Sequence, residues 1–106
     1  VRPPQVKLHV RMSWFVYVVR LADRFSIEQR AKLLKLLTQN GIGCNPYFSP
    51  IHLQKYYRDQ LGHREGELPI TEHIGQRSFA IPFSTKITQT QVDYVCDTLK
   101  KLIGQI

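Results

Sequence analysis

The chain carries four histidines, His9, His52, His63 and His73, and two cysteines, Cys44 and Cys96. These side chains hold metals and serve as bases and nucleophiles, so their spacing is the first thing to weigh. No two histidines stand four residues apart, and neither cysteine has a second one nearby, which argues against a zinc site. Cys44 and His52 form a nucleophile-and-base pair on paper only, because one Cys and one His at this separation arise readily by chance. Cys44 reads instead as a small strand residue. Gly41-Ile42-Gly43 does not extend to a dinucleotide-binding fingerprint, and no Gly-Lys-Ser/Thr follows it. It reads as a helix stop followed by a strand entry. Trp14, Phe15 and Tyr17 could stack RNA bases from a sheet, but the Gly-rich, basic-aromatic second motif of such domains is absent. They read as core aromatics, covered by helices and a partner domain.

The segment Tyr47 to Tyr57, YFSPIHLQKYY, concentrates aromatics, a proline, a histidine and a glutamine. Two readings of it stand side by side. It is a ligand edge, in which Tyr and His present apolar bodies with polar tips and His52 lies in a first helical turn, where anions are favoured. Or it is a tyrosine-rich short helix that docks on a neighbouring domain.

The elements that position these residues follow from pattern. Residues 1–12 carry two prolines and read as a linker or incoming arm. Ser13 to Leu21 is rich in β-branched and aromatic residues, apolar on both faces except at Arg20, and reads as a central covered strand. Ser26 with Gln29 is a capping box that opens a helix with Ile27, Ala31, Leu34 and Leu37 on one face. Asn40-Gly41 ends it. Ile42 to Phe48 reads as an irregular second strand. Ser49-Pro50 starts a short helix running toward Leu61, with Gly62 as its stop. Residues 63–67 read as a loop, and Pro69 to about Arg77 as another short helix. Ser78 to Phe83 is a short strand whose Pro82 marks an end or an edge. Thr88 with Gln91 is a second capping box, followed by an apolar stripe of Val92, Val95, Cys96, Leu99, Leu102 and Ile103. The order is β-α-β-α-α-β-α. The first two strands suit a right-handed parallel crossover, and the whole suits an α+β two-layer sandwich with a small sheet of about three strands and its helices on one face.

With 106 residues there is material for one core. No apolar run approaches a membrane span, and the N-terminus has no signal-peptide core, so a cytoplasmic protein with two buried reduced thiols is expected. The missing initiator Met suggests a truncated or processed product. The net charge of +7 is dispersed, with no run of five like charges, and reads as a solvated surface or a fragment whose acidic partner is elsewhere. A nucleic-acid partner is not expected.

At this point the sequence resembles a family. Tyr47-Phe48-Ser49-Pro50-Ile51-His52-Leu53-Gln54, then Tyr57-Arg58, is similar to the aromatic-x-x-Pro-x-His-Leu-Gln segment of the DegT/StrS sugar aminotransferases. Gly62, Gly66, Leu68-Pro69, Glu72, Arg77, Ile81-Pro82-Phe83, Thr88, Gln91 and Val95 follow in the family's order, and Ser13 to Val18 matches its opening strand. The resemblance covers about residues 13–103, so residues 13–106 are expected to form the small C-terminal domain of a fold-type-I enzyme. It implies a homodimeric parent that uses pyridoxal phosphate (PLP) to aminate a keto-sugar nucleotide, with the cofactor held by a large N-terminal domain missing here. The family's Ser-rich cofactor-lysine segment with its Gly-Glu-Gly-Gly has no counterpart, and Lys86 reads as a surface loop residue. The chain alone is therefore expected to bind no PLP and to have no catalytic residue. By the same resemblance His52, Tyr47 and Phe48 face the cleft as substrate-binding residues, or else hold the small domain against the large one. Arg77 is expected to pair with Glu72 or with the large domain. Lys55 and Asn45 depart from the family pattern, which bears on fine substrate contacts. An isolated fragment of this kind is expected to self-associate. The rival readings are a free-standing module that binds sugar nucleotides or proteins and, behind it, a basic nucleic-acid binder.

Overall fold

A computed structural model describes residues 1–106. The strands are β1 (Tyr17–Arg20), β2 (Asn45–Pro46) and β3 (Ser78–Ile81), and the helices are α1 (Ile27–Gln39), α2 (Lys55–Leu61), α3 (Pro69–Gly75) and α4 (Gln89–Ile103), with a 3-10 turn at Ile51–Leu53. The sheet order is β1-β3-β2, antiparallel at both pairings. β1 and β2 therefore run in the same direction, as a β-α-β crossover requires, but β3 is inserted between them. The four helices cover one face, giving the α+β two-layer sandwich.

The first strand is shorter than its composition suggests. Tyr17 pairs with Ile81 and Arg20 with Ser78, so residue 16 would fall opposite Pro82. Proline has no N–H to give a ladder, and the strand stops there. Trp14 and Phe15 are consequently exposed, with Trp14 stacked on Tyr17 at 5.3 Å between ring centres. β2 contracts to two residues, and its Pro46 is tolerated because the strand lies at the edge. At the opposite edge Arg2 exchanges both backbone hydrogen bonds with Arg20, at 2.7 and 3.0 Å. The beginning of the arm is thus laid on the sheet.

Phe79, Leu21, Leu33 and Leu37 are fully buried, and Val19, Phe25, Ile42, Val95, Leu99 and Leu102 complete the core. In α1 the buried stripe is Leu33 and Leu37, while Ile27 and Ala31 face solvent. The run Leu33-Leu34-Lys35-Leu36-Leu37 offers more than one stripe at helical spacing, and packing against α4 selects one. In α4 Val95, Leu99 and Leu102 are buried but Cys96 is exposed, so the expectation of two buried thiols is corrected. Cys44 is half-buried, and that burial pushes its thiol pKa up.

Both capping boxes form. Ser26 Oγ accepts from Gln29 N at 3.3 Å while Gln29 Oε1 accepts from Ser26 N at 2.9 Å. Thr88 and Gln91 repeat the arrangement at the same distances. Each hydroxyl satisfies an amide that the first turn otherwise leaves orphaned. Ser26→Ala and Thr88→Ala are each expected to cost about 1 kcal/mol, and replacement by Gly a few tenths, read from urea denaturation midpoints at constant slope.

Candidate functional site

Tyr47 to Leu53 leaves the edge strand and folds into the 3-10 turn. Sequence pattern suggests one helix from Pro50 to Leu61, but Gln54 is extended (ψ 147°) and divides it into the turn and α2. Ser49 supplies no cap bond. Pro50 precedes the turn instead.

His52 sits at the middle of this turn and is only 6% exposed. Its Nε2–H donates to Glu72 Oε1 at 2.8 Å. Glu72, 7% exposed, lies on α3 and also accepts from Gly66 N (2.9 Å to each oxygen) and Leu68 N (3.3 Å). The hydrogen bond from His52 is the leading reason the Glu72 pKa is held below the usual carboxylate value. The Gly66 and Leu68 amides add to this, while desolvation opposes it. Gly66 has φ +91°, a left-handed conformation that suits glycine and aims its amide at the carboxylate. Beside this pair, His63 Nδ1 and Glu67 Oε2 lie 2.8 Å apart, and the His63 ring stands edge-on to that of His52 at 6.4 Å.

Phe48 and Tyr47 pack ring against ring at 4.2 Å, with Tyr47 half-buried and Phe48 68% exposed. Phe48, Ser49, Arg30, Glu65, Glu72 and Gln76 border a cleft of about 300 Å³. Gly75 lines it too: a Cβ there would lie 3.2 Å from Pro50 and 3.3 Å from the Phe48 carbonyl, a tight fit that a larger residue would meet only if the segment gave by a few tenths of an ångström. A larger groove of about 840 Å³ runs between Ile42, Phe83 and Tyr94. It touches none of the candidate residues and has no concentration of ionisable groups, so the smaller cleft is the better candidate.

The structure thus brings Phe48 to the cleft, sets Tyr47 behind it, and buries His52 with one ring nitrogen already committed to Glu72. Glu72 is the residue that sequence reasoning misplaced. Arg77 does not pair with it. Arg77 Nη1 donates to the His73 carbonyl (3.1 Å) and its Nη2 to the Asp23 carbonyl (3.4 Å). Arg30 was missed altogether. Its Nη1 reaches from α1 to the carbonyls of Gly75 (2.7 Å) and Ser78 (3.2 Å). Ser78 Oγ donates to the Ile74 carbonyl. Two guanidiniums and a hydroxyl thereby satisfy the carbonyls at the C-terminus of α3, where positive charge is favoured. No local pattern marks this arrangement, because its partners come from three elements.

A Schiff-base cofactor needs a lysine in an enclosed setting, and every lysine of this chain is solvent-exposed. Lys86 lies in the open turn before α4. The residues present do not build a pyridoxal-phosphate cradle. No helix is long and apolar enough to cross a membrane.

Comparison with known proteins agrees with the order of motifs. Over 103 residues the chain is 31% identical to the uncharacterized protein MJ1066 of Methanocaldococcus jannaschii, covering 96% of this chain and 26% of that protein. It is 23% identical over 94 residues to the spore coat polysaccharide biosynthesis protein SpsC of Bacillus subtilis, covering 88% of this chain and 24% of SpsC. The fold superposes on the putative sugar aminotransferase Spr1654 of Streptococcus pneumoniae, in its apo form, with a TM-score of 0.90 and 26% identity. That superposition covers 98% of this chain and 26% of Spr1654, and the PMP and PLP forms of Spr1654 superpose equally well. The chain spans about a quarter of the length of these relatives. Residues 1–100, the arm included, match the model of the DegT/DnrJ/EryC1/StrS aminotransferase family, and the chain belongs to that family.

Proposed function

We propose that this chain is the C-terminal small domain of a PLP-dependent aminotransferase that aminates a keto-sugar nucleotide in the cytoplasm. The cofactor and its lysine belong to the remaining three quarters of the enzyme. Residues 13–106 form the domain, and residues 1–12 lead into it from the large domain. The small domain closes over the active-site cleft of a homodimer, with Phe48 and Tyr47 as an aromatic edge for the nucleotide-sugar and His52 setting the turn beneath them.

One observation carries this reading. Phe48, Ile51, Tyr56, Leu68 and Ile70 all stand out from the segment that runs from β2 into the first turn of α3, and Ile70 is 76% exposed. Apolar side chains gathered in one stretch of chain beside a buried His52–Glu72 hydrogen bond call for a protein surface to cover them. The large domain is the surface nearest at hand.

The test is to read and express the frame upstream of Val1. A preceding region of several hundred residues with a Ser-rich lysine segment is expected. The purified whole protein should bind PLP and consume glutamate with keto-sugar nucleotides. The 106-residue chain by itself should self-associate in sedimentation at moderate concentration. A frame that opens at Val1, or a chain that stays monomeric at high concentration, would point to a free-standing binding module and overturn the proposal.

A further inference from the structure

We propose that Glu72 is a positioning residue: with His52 it closes a buried clamp that holds the 62–68 loop to the Ile51–Leu53 turn and so fixes one wall of the cleft. The significance of that wall for a sugar substrate rests on the function proposed above. The clamp itself does not.

The argument starts from the loop. His63 to Glu67 are polar or glycine, and apart from the half-exposed His63 they all face solvent. Within the loop the bonds are few. Glu67 N reaches the Arg64 carbonyl at 3.5 Å, and His63 pairs with Glu67. No buried apolar side chain anchors it. What anchors it is the Glu72 carboxylate, whose Oε1 accepts from His52, Gly66 N and Leu68 N and whose Oε2 accepts from Gly66 N as well. Glu65, the residue before the held Gly66, borders the same cleft as Phe48 and Ser49. The carboxylate therefore joins the two walls: the turn that follows Phe48 and the loop that carries Glu65.

A carboxylate suits this task because it only accepts, and all its partners here donate. Glutamine keeps one accepting oxygen, but in place of Oε2 its amide would turn a donor toward the Gly66 N–H, and the charge that strengthens the bonds to Oε1 is lost. Glu72→Gln thus preserves size while weakening the clamp, first at Gly66. His52→Gln keeps a neutral N–H donor on a side chain of similar reach and should preserve it.

Amide hydrogen exchange on the 106-residue chain decides the matter. Glu72→Gln is expected to speed exchange at Gly66 and Leu68 about tenfold or more, while amides of the β1–β3 ladder stay within about twofold of wild type. His52→Gln should restore most of the protection lost in His52→Leu. Unchanged exchange at Gly66 and Leu68, or a rise shared equally by the ladder, would overturn the proposal. In the complete enzyme Glu72→Gln should raise KM for the nucleotide-sugar about tenfold with kcat little altered. A wild-type enzyme that turns over no nucleotide-sugar would sink the functional reading alone, since the amide pattern tests the clamp independently.

Discussion

Phe79→Ala is expected to leave the domain at the edge of unfolding. Phe79 is fully buried on β3, opposite Val19 of β1 and Pro46 of β2, so it stands at the centre of the sheet where both neighbours and the helical layer meet it. Truncating a buried phenylalanine removes its transfer free energy and leaves a cavity, together about 3–5 kcal/mol. A domain of this size has roughly 5–15 kcal/mol in all. Urea denaturation should show the midpoint falling by half or more with little change in slope, and Phe79→Leu should recover most of the loss. A Phe79→Ala protein within about 1 kcal/mol of wild type would mean that the two layers do not pack as described. The consequence reaches the cleft. Ser78, the neighbouring residue on β3, ties the end of α3 through its hydroxyl and accepts Arg30 on its carbonyl. Loosening β3 should therefore loosen the part of the cleft lined by Gly75 and Gln76.

Which parts of this could be read from sequence follows from the range of the interactions. Both capping boxes were legible because each closes over three residues and depends on nothing distant. The order of elements was legible for the same reason. The extent of β1 was not, because Pro82, more than sixty residues away, decides where its ladder ends. The buried face of α1 was ambiguous because a leucine-rich run satisfies two helical stripes, and only α4 chooses between them. Cys96 fits the apolar stripe of α4 in one dimension, yet the helix turns it to solvent.

The candidate site divides along the same line. The Tyr47 to Gln54 segment announced itself by composition and by its likeness to a family. Its physical role was hidden, because the partner of His52 lies twenty residues away, beyond one helix and a loop. Proximity along the chain instead suggested Arg77 for Glu72. Arg77 is drawn off by the carbonyls of His73 and Asp23. His52, the residue that looked like a ligand contact, has one ring nitrogen hydrogen-bonded to the Glu72 carboxylate, while Phe48 stands exposed at the edge of the cleft.

His52→Leu should be the most damaging change in this segment. It leaves the Glu72 carboxylate buried beside an aliphatic side chain, with only the Gly66 and Leu68 amides to compensate. Removing one member of a buried pair is strongly destabilising, and here a fall in Tm on the order of 10 °C at neutral pH is expected. The acid response gives a second, independent reading. Glu72 is more acidic in the folded protein than in the unfolded chain, chiefly through the His52 hydrogen bond. Its contribution is therefore fully present above the ordinary carboxylate pKa and is lost as pH falls through the lowered folded value. Wild type should hold its Tm from neutrality down to about pH 4–5 as far as this group is concerned, and lose stability below that. Without the His52 donor the folded pKa rises toward that of the unfolded chain, so His52→Leu, less stable at neutral pH, should lose less further stability in acid and show a shallower acid limb than wild type. Glu72→Gln has no carboxylate to protonate and should show a flatter acid limb. His52→Leu melting within two or three degrees of wild type, with the same acid limb, would show that the histidine fills space without supporting the carboxylate.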